Sequence, residues 1–496
     1  MSIREWAGNR SSSLLKSAFI AAGALGGGFF ILKEPSLTWF AAVFAGGGIL
    51  ALGLAVGTLR RVLLVALAFL LPFYIHKGLF VRTDQVGEVA SLQVAVVDVV
   101  VLLLAFLWLA DMAVDRRLKV YLYPAVTVPL AVWLLMSAFS IPGAPDPQAG
   151  LFQLKHIVML VVTCLVVANQ VRDERDSRGI LAALILGLFC QSTVSFYQAL
   201  TGRSLGLAFL GETSTVVEFA LDVGQVVRTK GLFGHPNSFA VYLEMVLPLA
   251  FVGLFAARGA LGKALAGLVW GLGVAAMVLT LSRGGWLGFA FGLAVVAFFL
   301  VRRRAVRFAR GVVPAVVLLL VLLLVAASGT TGLVSSRLRS GDEGALVSRF
   351  PLMRGAVAMI ADHPVRGVGL GNYGLLTPEY NLDEFRRWGP KASHVHNIFL
   401  AIGAEVGLVG LAAFVWALGA ILWRGVGFVR RVPVGLHWLI GLAVLAALSA
   451  VLLHNQGDYA LLSTPALDAL FWFMVGWLMA VSRISGREAR SEDVET

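Results

Sequence analysis

Two histidines stand directly before a long apolar run, in the stretch KASHVHNIFLAIGAEVGLVG at residues 391–410. His394 and His396 are separated by one residue, and we expect their side chains to point to opposite sides of the segment. A histidine titrates near neutral pH, so a ring placed here could take a proton from an alcohol. The segment before this apolar run is therefore a candidate reaction site, with one histidine as a general base.

Basic residues precede other apolar runs. Arg228 and Lys230 lie in VVRTKGLFGHPNSFA, and Arg283 lies in LTLSRGGWLG between two apolar segments. A charge at membrane depth is costly unless it is paired or hydrated, which makes Arg283 a functional candidate. Because a guanidinium can bind two phosphate oxygens at once, the group favours an anionic headgroup attached to a lipid.

Four further basic residues could support the same anion. Lys155 and His156 lie near one end of a predicted helix, and Arg349 and Arg354 flank an apolar stripe. For any one of them, anchoring at lipid headgroups is an equally good explanation. Anchoring explains the basic residues less well when they are taken together, because several cations are then expected at one mouth of a hydrophobic bundle.

The sequence does not predict a metal centre or another cofactor. It contains no HExxH, no second cluster of cysteine and histidine, and no DxD that could hold a divalent cation. Cys164 and Cys190 lie within predicted helices, which is typical of small buried hydrophobic residues. Any chemistry is therefore expected to depend on arginine and histidine.

Membrane helices must position these residues. Of the 496 residues, 59% are hydrophobic and 14% are charged, which excludes a soluble domain. A helix needs about 17 to 25 apolar residues to cross the hydrocarbon core. The candidate spans are 17–32, 38–57, 62–80, 93–110, 121–141, 151–168, 180–200, 237–256, 264–281, 285–301, 312–328, 396–422, 434–453 and 466–482. We expect an all-α polytopic membrane protein with about 12 to 14 transmembrane helices, forming a single integral membrane domain over residues 1–496.

The positive charge of the protein is distributed as membrane topology requires, and it does not indicate nucleic-acid binding. The formal net charge is +12, and basic residues collect in every second connection between the predicted spans. Since cytoplasmic connections are enriched in lysine and arginine, both termini are predicted to be cytoplasmic. The segments 201–236 and 329–395 then form outer loops, and the histidine pair and arginines share that outer face.

The larger outer loop contains an amphipathic pattern. Apolar residues recur at steps of three and four residues before His363 and Pro364, where the helix is expected to end. This helix is predicted to lie on the membrane surface as a lid or shelf over the bundle. The pattern comprises Leu346, Phe350, Met353, Val357 and Ile360. The following GVGLGNYG is interpreted as a tight turn, not as a phosphate-binding loop.

In order along the chain, four stretches resemble the family of bacterial O-antigen ligases and related O-antigen polymerases, over roughly residues 150–410. RTKGLFGHPNSFA resembles the R-x-x-G-x-F-x-x-P-N element, and LSRGGWLG resembles the S-R-G segment. SRFPLMRGAVAMIADHPVRGVGLGNYG contains P-x-x-G-x-G, and HVHNIFLAIGAEVGLVG resembles the H-N element with its E-x-G-x-x-G helix.

The resemblance implies a GT-C-like glycosyltransferase in the bacterial inner membrane, with its active site facing the periplasm. It would move a glycan from undecaprenyl pyrophosphate to a sugar hydroxyl of lipid A-core, without a metal and with inversion. The family's two essential arginines fall on Arg228 and Arg283, and its essential histidine falls on His396. Lys230, His394, Arg349, Arg354, Lys155 and His156 would be supporting residues.

Two other functions compete with this interpretation. A polymerase would use the same donor but add the glycan to another lipid-linked repeat, and the motifs fit both reactions. A ligase is favoured by the single long amphipathic loop and the compact set of two arginines and a histidine. A transporter or flippase of lipid-linked sugar would place charges near the bilayer midplane, where Asp98 and Glu405 are exceptions to a largely apolar region.

Overall fold

The computed structural model describes residues 58–73, 75–82, 91–115, 119–214, 217–221, 224–305, 349–381, 383, 386 and 394–495. The predicted spans 17–32, 38–57 and 312–328 lie outside the described residues. Helices dominate the rest. They are α1 (Leu59–Leu70), α2 (Val96–Val114), α3 (Pro124–Ser140), α4 (Pro147–Gln170), α5 (Glu174–Thr201), α6 (Pro236–Ala256), α7 (Gly259–Leu279), α8 (Arg283–Arg302), α9 (Arg349–Asp362), α10 (Tyr373–Tyr380), α11 (Ile398–Arg431), α12 (Leu436–His454), α13 (Ala460–Ser463) and α14 (Pro465–Glu495).

Two short antiparallel hairpins interrupt the helices. In the first, β1 (His76–Leu79) pairs with β2 (Leu92–Ala95), with His76 opposite Ala95. In the second, β3 (Val217–Leu221) pairs with β4 (Gly224–Arg228), with Val217 opposite Arg228. The second hairpin lies inside the predicted outer loop 201–236 and ends at the first candidate arginine.

The prediction of a polytopic membrane protein is confirmed. Within the described residues, nine helices are long and apolar enough to cross a membrane: α2, α4 to α8, α11, α12 and the part Pro465–Gly486 of α14. The predicted span 62–80 differs, since α1 has 12 residues and extends over only about 18 Å at 1.5 Å per residue. It ends just before Pro72, because proline has no backbone N–H group with which to continue the helical hydrogen bonds.

The centre of the bundle is formed by α6, α12 and the apolar part of α14. Nearly every residue of α6 is buried, including Phe239, Tyr242 and Met245. Trp438 on α12 and Trp477 on α14 are among the largest fully buried side chains. Such helices are apolar around their whole circumference because they pack against protein on all sides.

The two ends of the bundle carry different sets of basic residues. At one end, Arg60 bonds Asp176, Arg303 bonds the Arg430 carbonyl group, and Arg483 bonds the Val171 carbonyl group. These are the connections that the charge pattern predicts to be cytoplasmic. The opposite end contains the first residues of α6, α8 and α11 and the last residue of α12, and it contains the candidate site.

Helix α9 forms within the predicted amphipathic segment, although Leu346 lies outside the described residues. Its protein-facing side consists of Leu352, Ala356 and Met359, which are buried. Phe350 and Val357 belong to the predicted apolar stripe and are 60% and 53% exposed. Met353 and Ile360 of the same stripe are half-buried and pack on the cluster around Ala356 and Met359, so the predicted stripe is divided between an outward-facing and a protein-facing side.

Candidate functional site

A chain of hydrogen bonds begins at Arg228, the last residue of β4. Its guanidinium donates from Nε to the carbonyl oxygen of Thr280 at 2.9 Å and from Nη2 to Oδ1 of Asn237 at 2.9 Å. Nδ2 of Asn237 donates in turn to Oδ2 of Asp458 at 2.7 Å. The chain joins β4, the start of α6, the end of α7 and the loop after α12, so these elements fix Arg228 together.

Arg283 is the first residue of α8 and lies three residues after Thr280, which accepts the bond from Arg228. Ser282 caps this helix, and its side chain accepts a hydrogen bond from the Gly285 backbone at 3.3 Å. The helix terminus adds the positive end of its dipole to the half-buried guanidinium. Both predicted arginines thus converge on the turn between α7 and α8, which is an arrangement suited to an anion.

The glycines of SRGGWLG let α8 approach two other helices. A Cβ atom on Gly285 would come within 2.6 Å of the Cβ atom of Ala240 on α6. On Gly284 it would come within 2.6 Å of the His454 ring, and on Gly288 within 2.8 Å of the Glu244 carboxyl group. Larger residues would push α8 outward and displace Arg283 at its first position.

The segment that carries His394 and His396 is fixed by Asn397, the residue directly after it. Asn397 caps α11, because its Oδ1 accepts hydrogen bonds from the backbones of Phe399 and Leu400 at 3.0 Å. Its Nδ2 donates to the Gln456 carbonyl oxygen at 3.1 Å. The Ile398 backbone also donates to the Asn455 carbonyl oxygen at 3.3 Å. The start of α11 is therefore attached to the loop that carries Asp458.

The expectation that His394 and His396 point to opposite sides is wrong, because residues two positions apart on an extended chain lie on one face, and the backbone also turns at His396. His396 has a left-handed backbone with φ of 52°, which turns the chain between the two side chains. The two ring centroids lie 6.4 Å apart, and the His394 ring stacks on Tyr459 with centroids 5.5 Å apart. Both half-buried rings therefore lie at the same site.

The environment of His396 keeps its imidazole neutral at physiological pH. Burial and, next, the Arg349 cation lower the pKa of His396 to about 4, although Asp458 partly opposes them. Arg349 itself donates from Nη1 to the Gly457 carbonyl oxygen at 2.6 Å. A neutral imidazole can accept a proton, which is the state that a general base requires.

The sequence reasoning missed the loop after α12. Asp458 is 8% exposed, and its Oδ1 accepts hydrogen bonds from the backbones of Tyr459 at 2.7 Å and Ala460 at 3.1 Å. Burial by itself would raise the pKa of Asp458, but His454, His396 and Arg349 lower it below its ordinary value. The available signal was HNQGDY, a polar stretch between two apolar runs on the predicted outer face.

The predicted supporting residues divide into three groups: those at or beside the site (Arg349, His394 and Lys230), one exposed residue (Arg354), and a pair with contacts elsewhere (Lys155 and His156). Arg349 and His394 belong to the site, and Lys230 lies two residues after Arg228, where it bonds the Thr213 hydroxyl group. Burial lowers the pKa of Lys230, and Glu212 partly opposes this shift. Arg354 is exposed on α9.

Lys155 and His156 make their contacts elsewhere, with carboxylates of other helices. Lys155 on α4 pairs with Asp98 of α2, and it also donates to the Gln93 carbonyl oxygen at 2.7 Å. His156 lies 2.9 Å from Asp468 of α14. These pairs connect α4 to its neighbours; Lys155, Asp98 and His156 line one cavity beside α4, and His156 and Asp468 line a second.

The glycine-rich GVGLGNYG is a tight turn, as predicted, and it packs on a kink in α11. The kink is at Gly407, where φ is 81°. The Val368 and Gly369 backbones donate to the carbonyl oxygens of Ala404 at 2.8 Å and Glu405 at 3.1 Å. The Glu405 carboxylate accepts from the Tyr373 backbone at 3.2 Å. Glu405 therefore binds backbone amides within the bundle, which is a structural role.

A metal-binding cluster is not found among the residues that the structure describes. No group of three or more histidine, cysteine, aspartate or glutamate side chains there could hold an ion. The groups that could bind an anion at this site are instead guanidinium groups and the N-terminus of α8. These cationic groups lie at the same end of the bundle as the neutral imidazole of His396.

Comparison with known proteins agrees with the motifs. Residues 266–415 match the family model of the O-antigen ligases, a segment that contains Arg283, Arg349 and His396. A comparison with curated proteins found no match to the chain. The family match supports a ligase-like glycosyltransferase activity in general. Through residues 266–415, the chain thus matches the O-antigen ligase family, which confirms the resemblance seen in its motifs.

Proposed function

We propose that the protein transfers a glycan from undecaprenyl pyrophosphate to a sugar hydroxyl group of lipid A-core at the periplasmic face of the inner membrane. The observation that carries this proposal is the convergence of Arg228, Arg283 and His396 at one end of an apolar helix bundle. Arg228 bonds Thr280 in the turn that precedes Arg283, and it is connected through Asn237 to Asp458, whose loop bonds Asn397 at the start of α11.

The arginines act on the leaving group. Departure of the glycan leaves negative charge on the lipid pyrophosphate, and two guanidinium groups with the N-terminus of α8 neutralise it. Because Arg228 is buried and held at two nitrogen atoms, its charge needs little rearrangement during the reaction. Preorganised charge of this kind contributes more than a mobile surface cation.

His396 acts on the acceptor. Its imidazole takes the proton of the acceptor hydroxyl group while that oxygen bonds to the anomeric carbon of the donor sugar. The bond from this carbon to the pyrophosphate oxygen breaks, the configuration inverts, and the proton is later released to solvent. The pKa of about 4 describes the site with the Arg349 cation nearby. A bound pyrophosphate would raise the pKa of His396, which makes the ring a stronger base when the donor is present.

The acceptor distinguishes the ligase from its alternatives. Purified protein would be incubated in liposomes with a defined lipid-pyrophosphate glycan and either lipid A-core or a second lipid-linked repeat. We expect attachment to lipid A-core. A longer lipid-linked glycan would indicate a polymerase, and movement of labelled donor across the bilayer without transfer would indicate a flippase.

Arg283→Lys tests the role of the guanidinium in the same assay. We expect transfer to fall by roughly 10²-fold or more, because an ammonium group keeps the charge but loses the two-point contact with phosphate. Arg354→Lys is the matched control, since Arg354 is exposed on α9 outside the site, and it should retain transfer. Equal activity of the two variants would refute the proposed phosphate contact.

A further inference from the structure

The side chain of His235 caps the start of α6. Its Nδ1 accepts a hydrogen bond from the Asn237 backbone at 3.1 Å. The backbone of His235 is extended, with φ of -139° and ψ of 144°, which is the conformation that a following proline favours. Pro236 then begins the helix and has no N–H group that needs a partner. The GHPN stretch therefore fixes the position of this imidazole at the outer end of the bundle.

The cap bond determines which nitrogen of the ring carries the proton. A ring nitrogen that accepts a hydrogen bond carries no hydrogen atom, so the neutral imidazole of His235 has its proton on Nε2. Within the described part of the chain, no group accepts a hydrogen bond from this Nε2, and the residue is exposed. His235 thus offers an N–H donor to a molecule that arrives from outside.

His235 and Arg228 are held by the same asparagine. The Asn237 backbone bonds the His235 ring, and Oδ1 of Asn237 accepts a hydrogen bond from the Arg228 guanidinium at 2.9 Å. Nδ2 of Asn237 donates to Asp458 at 2.7 Å, which leaves the amide one orientation. A neutral donor and a cation are therefore attached to one fixed residue at the start of α6.

The charges that act on His235 are those of the proposed pyrophosphate site. Although part of the residue is exposed, desolvation lowers the pKa of His235, nearby cations lower it further, and Asp458 partly opposes them, giving a pKa of about 4. The cations are Arg228, Arg349 and Lys230. His235 is in turn among the groups that act electrostatically on His396. The ring therefore lies among the residues of the site as a neutral donor.

Capping alone does not account for a histidine at this position. Asparagine, aspartate and serine are the strongest capping residues, because a short side chain reaches the free N–H groups of the first turn. Histidine provides a second nitrogen in addition, on the side of the ring away from the cap bond. A phosphate oxygen can accept several hydrogen bonds, so a neutral N–H group can bind it together with a guanidinium.

We propose that His235 contacts the donor substrate, with its Nε2–H group hydrogen-bonded to a phosphate oxygen of the lipid pyrophosphate beside Arg228. The inference rests on the proposed transfer reaction and adds a neutral contact to the two arginines. The bond strengthens as the leaving group gains negative charge. Because Nδ1 stays bonded to the Asn237 backbone, the ring keeps its proton and donates a hydrogen bond throughout.

Two substitutions separate the cap from the phosphate contact. His235→Asn keeps a strong cap, because the asparagine oxygen can take the place of Nδ1, but it removes the Nε2–H group. His235→Gln has a longer side chain whose N–H group can take the place of Nε2, at the cost of a weaker cap. The unfolding temperature of His235→Asn should therefore equal that of the wild-type protein. His363→Asn is the matched control, since His363 is an exposed histidine directly after α9.

The measurement is the binding of undecaprenyl pyrophosphate and of undecaprenol to the purified protein in nanodiscs of constant phospholipid composition. The ratio of the two affinities isolates the contribution of the pyrophosphate. We expect this ratio to fall roughly 10- to 100-fold in His235→Asn, the scale of a hydrogen bond to a charged group. His235→Gln and His363→Asn should keep a ratio close to that of the wild-type protein.

A wild-type ratio in His235→Asn would overturn the inference. An equal loss in His235→Asn and His235→Gln would also overturn it, because the N–H group would then not be the group that binds. Wild-type protein that prefers the pyrophosphate lipid but transfers no glycan would overturn the proposed function and leave the phosphate contact supported. Equal wild-type affinity for the two lipids would overturn both.

Discussion

His396 occupies a backbone conformation that non-glycine residues seldom adopt. Its φ of 52° lies in the left-handed region, which costs roughly 1 to 2 kcal/mol for a residue with a Cβ atom. The bonds from Asn397 to Gln456, Phe399 and Leu400 hold the chain on the C-terminal side of this residue. Strain of this kind persists where the surrounding structure imposes it, and it often marks a functional residue.

Alanine substitutions separate the two histidines. We expect His396→Ala to reduce transfer by roughly 10²-fold or more, the scale of a positioned general base, with expression and donor binding close to normal. His394→Ala should have a milder effect, because its ring stacks on Tyr459 and is assigned no part in the proton transfer. Initial transfer rates at matched protein levels provide the comparison. Near-normal activity of His396→Ala together with loss of transfer in His394→Ala would assign the general-base role to His394 and contradict the role given to His396.

At the scale of elements, three asparagines join the segments that form the site. Asn237 connects Arg228 to Asp458, Asn397 connects α11 to the loop after α12, and Asn455 closes that loop on α13. An amide can donate and accept at the same time, so one side chain can satisfy two elements. The site is thus built where helix ends meet, and its accuracy depends on the packing of those helices.

Gly285 tests this dependence. Gly285→Ala should destabilise the protein by about 1 to 3 kcal/mol, because the added Cβ atom overlaps Ala240 and separates α6 from α8. Transfer should fall as well, since Arg283 moves with the start of α8. Thermal unfolding in detergent and the transfer assay measure the two effects.

Gly271→Ala provides the control for Gly285→Ala. An added Cβ atom at Gly271 on α7 meets no other atom within 4 Å, so the change should be neutral or slightly stabilising. Equal stability and equal transfer in Gly285→Ala and Gly271→Ala would contradict the predicted dependence on the close contact between α6 and α8.

At the scale of the whole molecule, the orientation in the membrane decides whether the site can reach a periplasmic acceptor. Glu379 is exposed on α10 and belongs to the predicted outer loop 329–395, whereas Arg175 is exposed at the opposite end of the bundle. The positive-inside pattern places Arg175 in the cytoplasm. The two positions therefore report on opposite sides of the membrane.

Single cysteines at these positions test the orientation. In a variant whose Cys164 and Cys190 are replaced by alanine, we expect Glu379→Cys to react with an impermeant thiol reagent in intact spheroplasts. Arg175→Cys should react only after lysis, because the reagent does not cross the membrane. The reverse pattern would place the site in the cytoplasm and refute a periplasmic reaction.

Local properties of the sequence determined the class of the protein and the first members of its site. The length of an apolar run predicts a span because the thickness of the hydrocarbon core is fixed, and each predicted span from 93–110 to 285–301 and from 396–422 to 466–482 overlaps a described helix. Arg228, Arg283 and His396 could be selected because each lies beside such a run within a short motif. The match to the O-antigen ligase family over residues 266–415 includes Arg283 and His396.

Only the tertiary structure decided which groups meet. Asp458 bonds Asn237 across 221 positions of the chain, and His454 bonds Glu244 across 210, so no local pattern links either pair. The turn at His396 and the division of the α9 stripe between exposed and packed residues likewise depend on contacts with other elements. Apolar length is a property of one segment, whereas the partner of a buried charge is set by how helices pack in three dimensions.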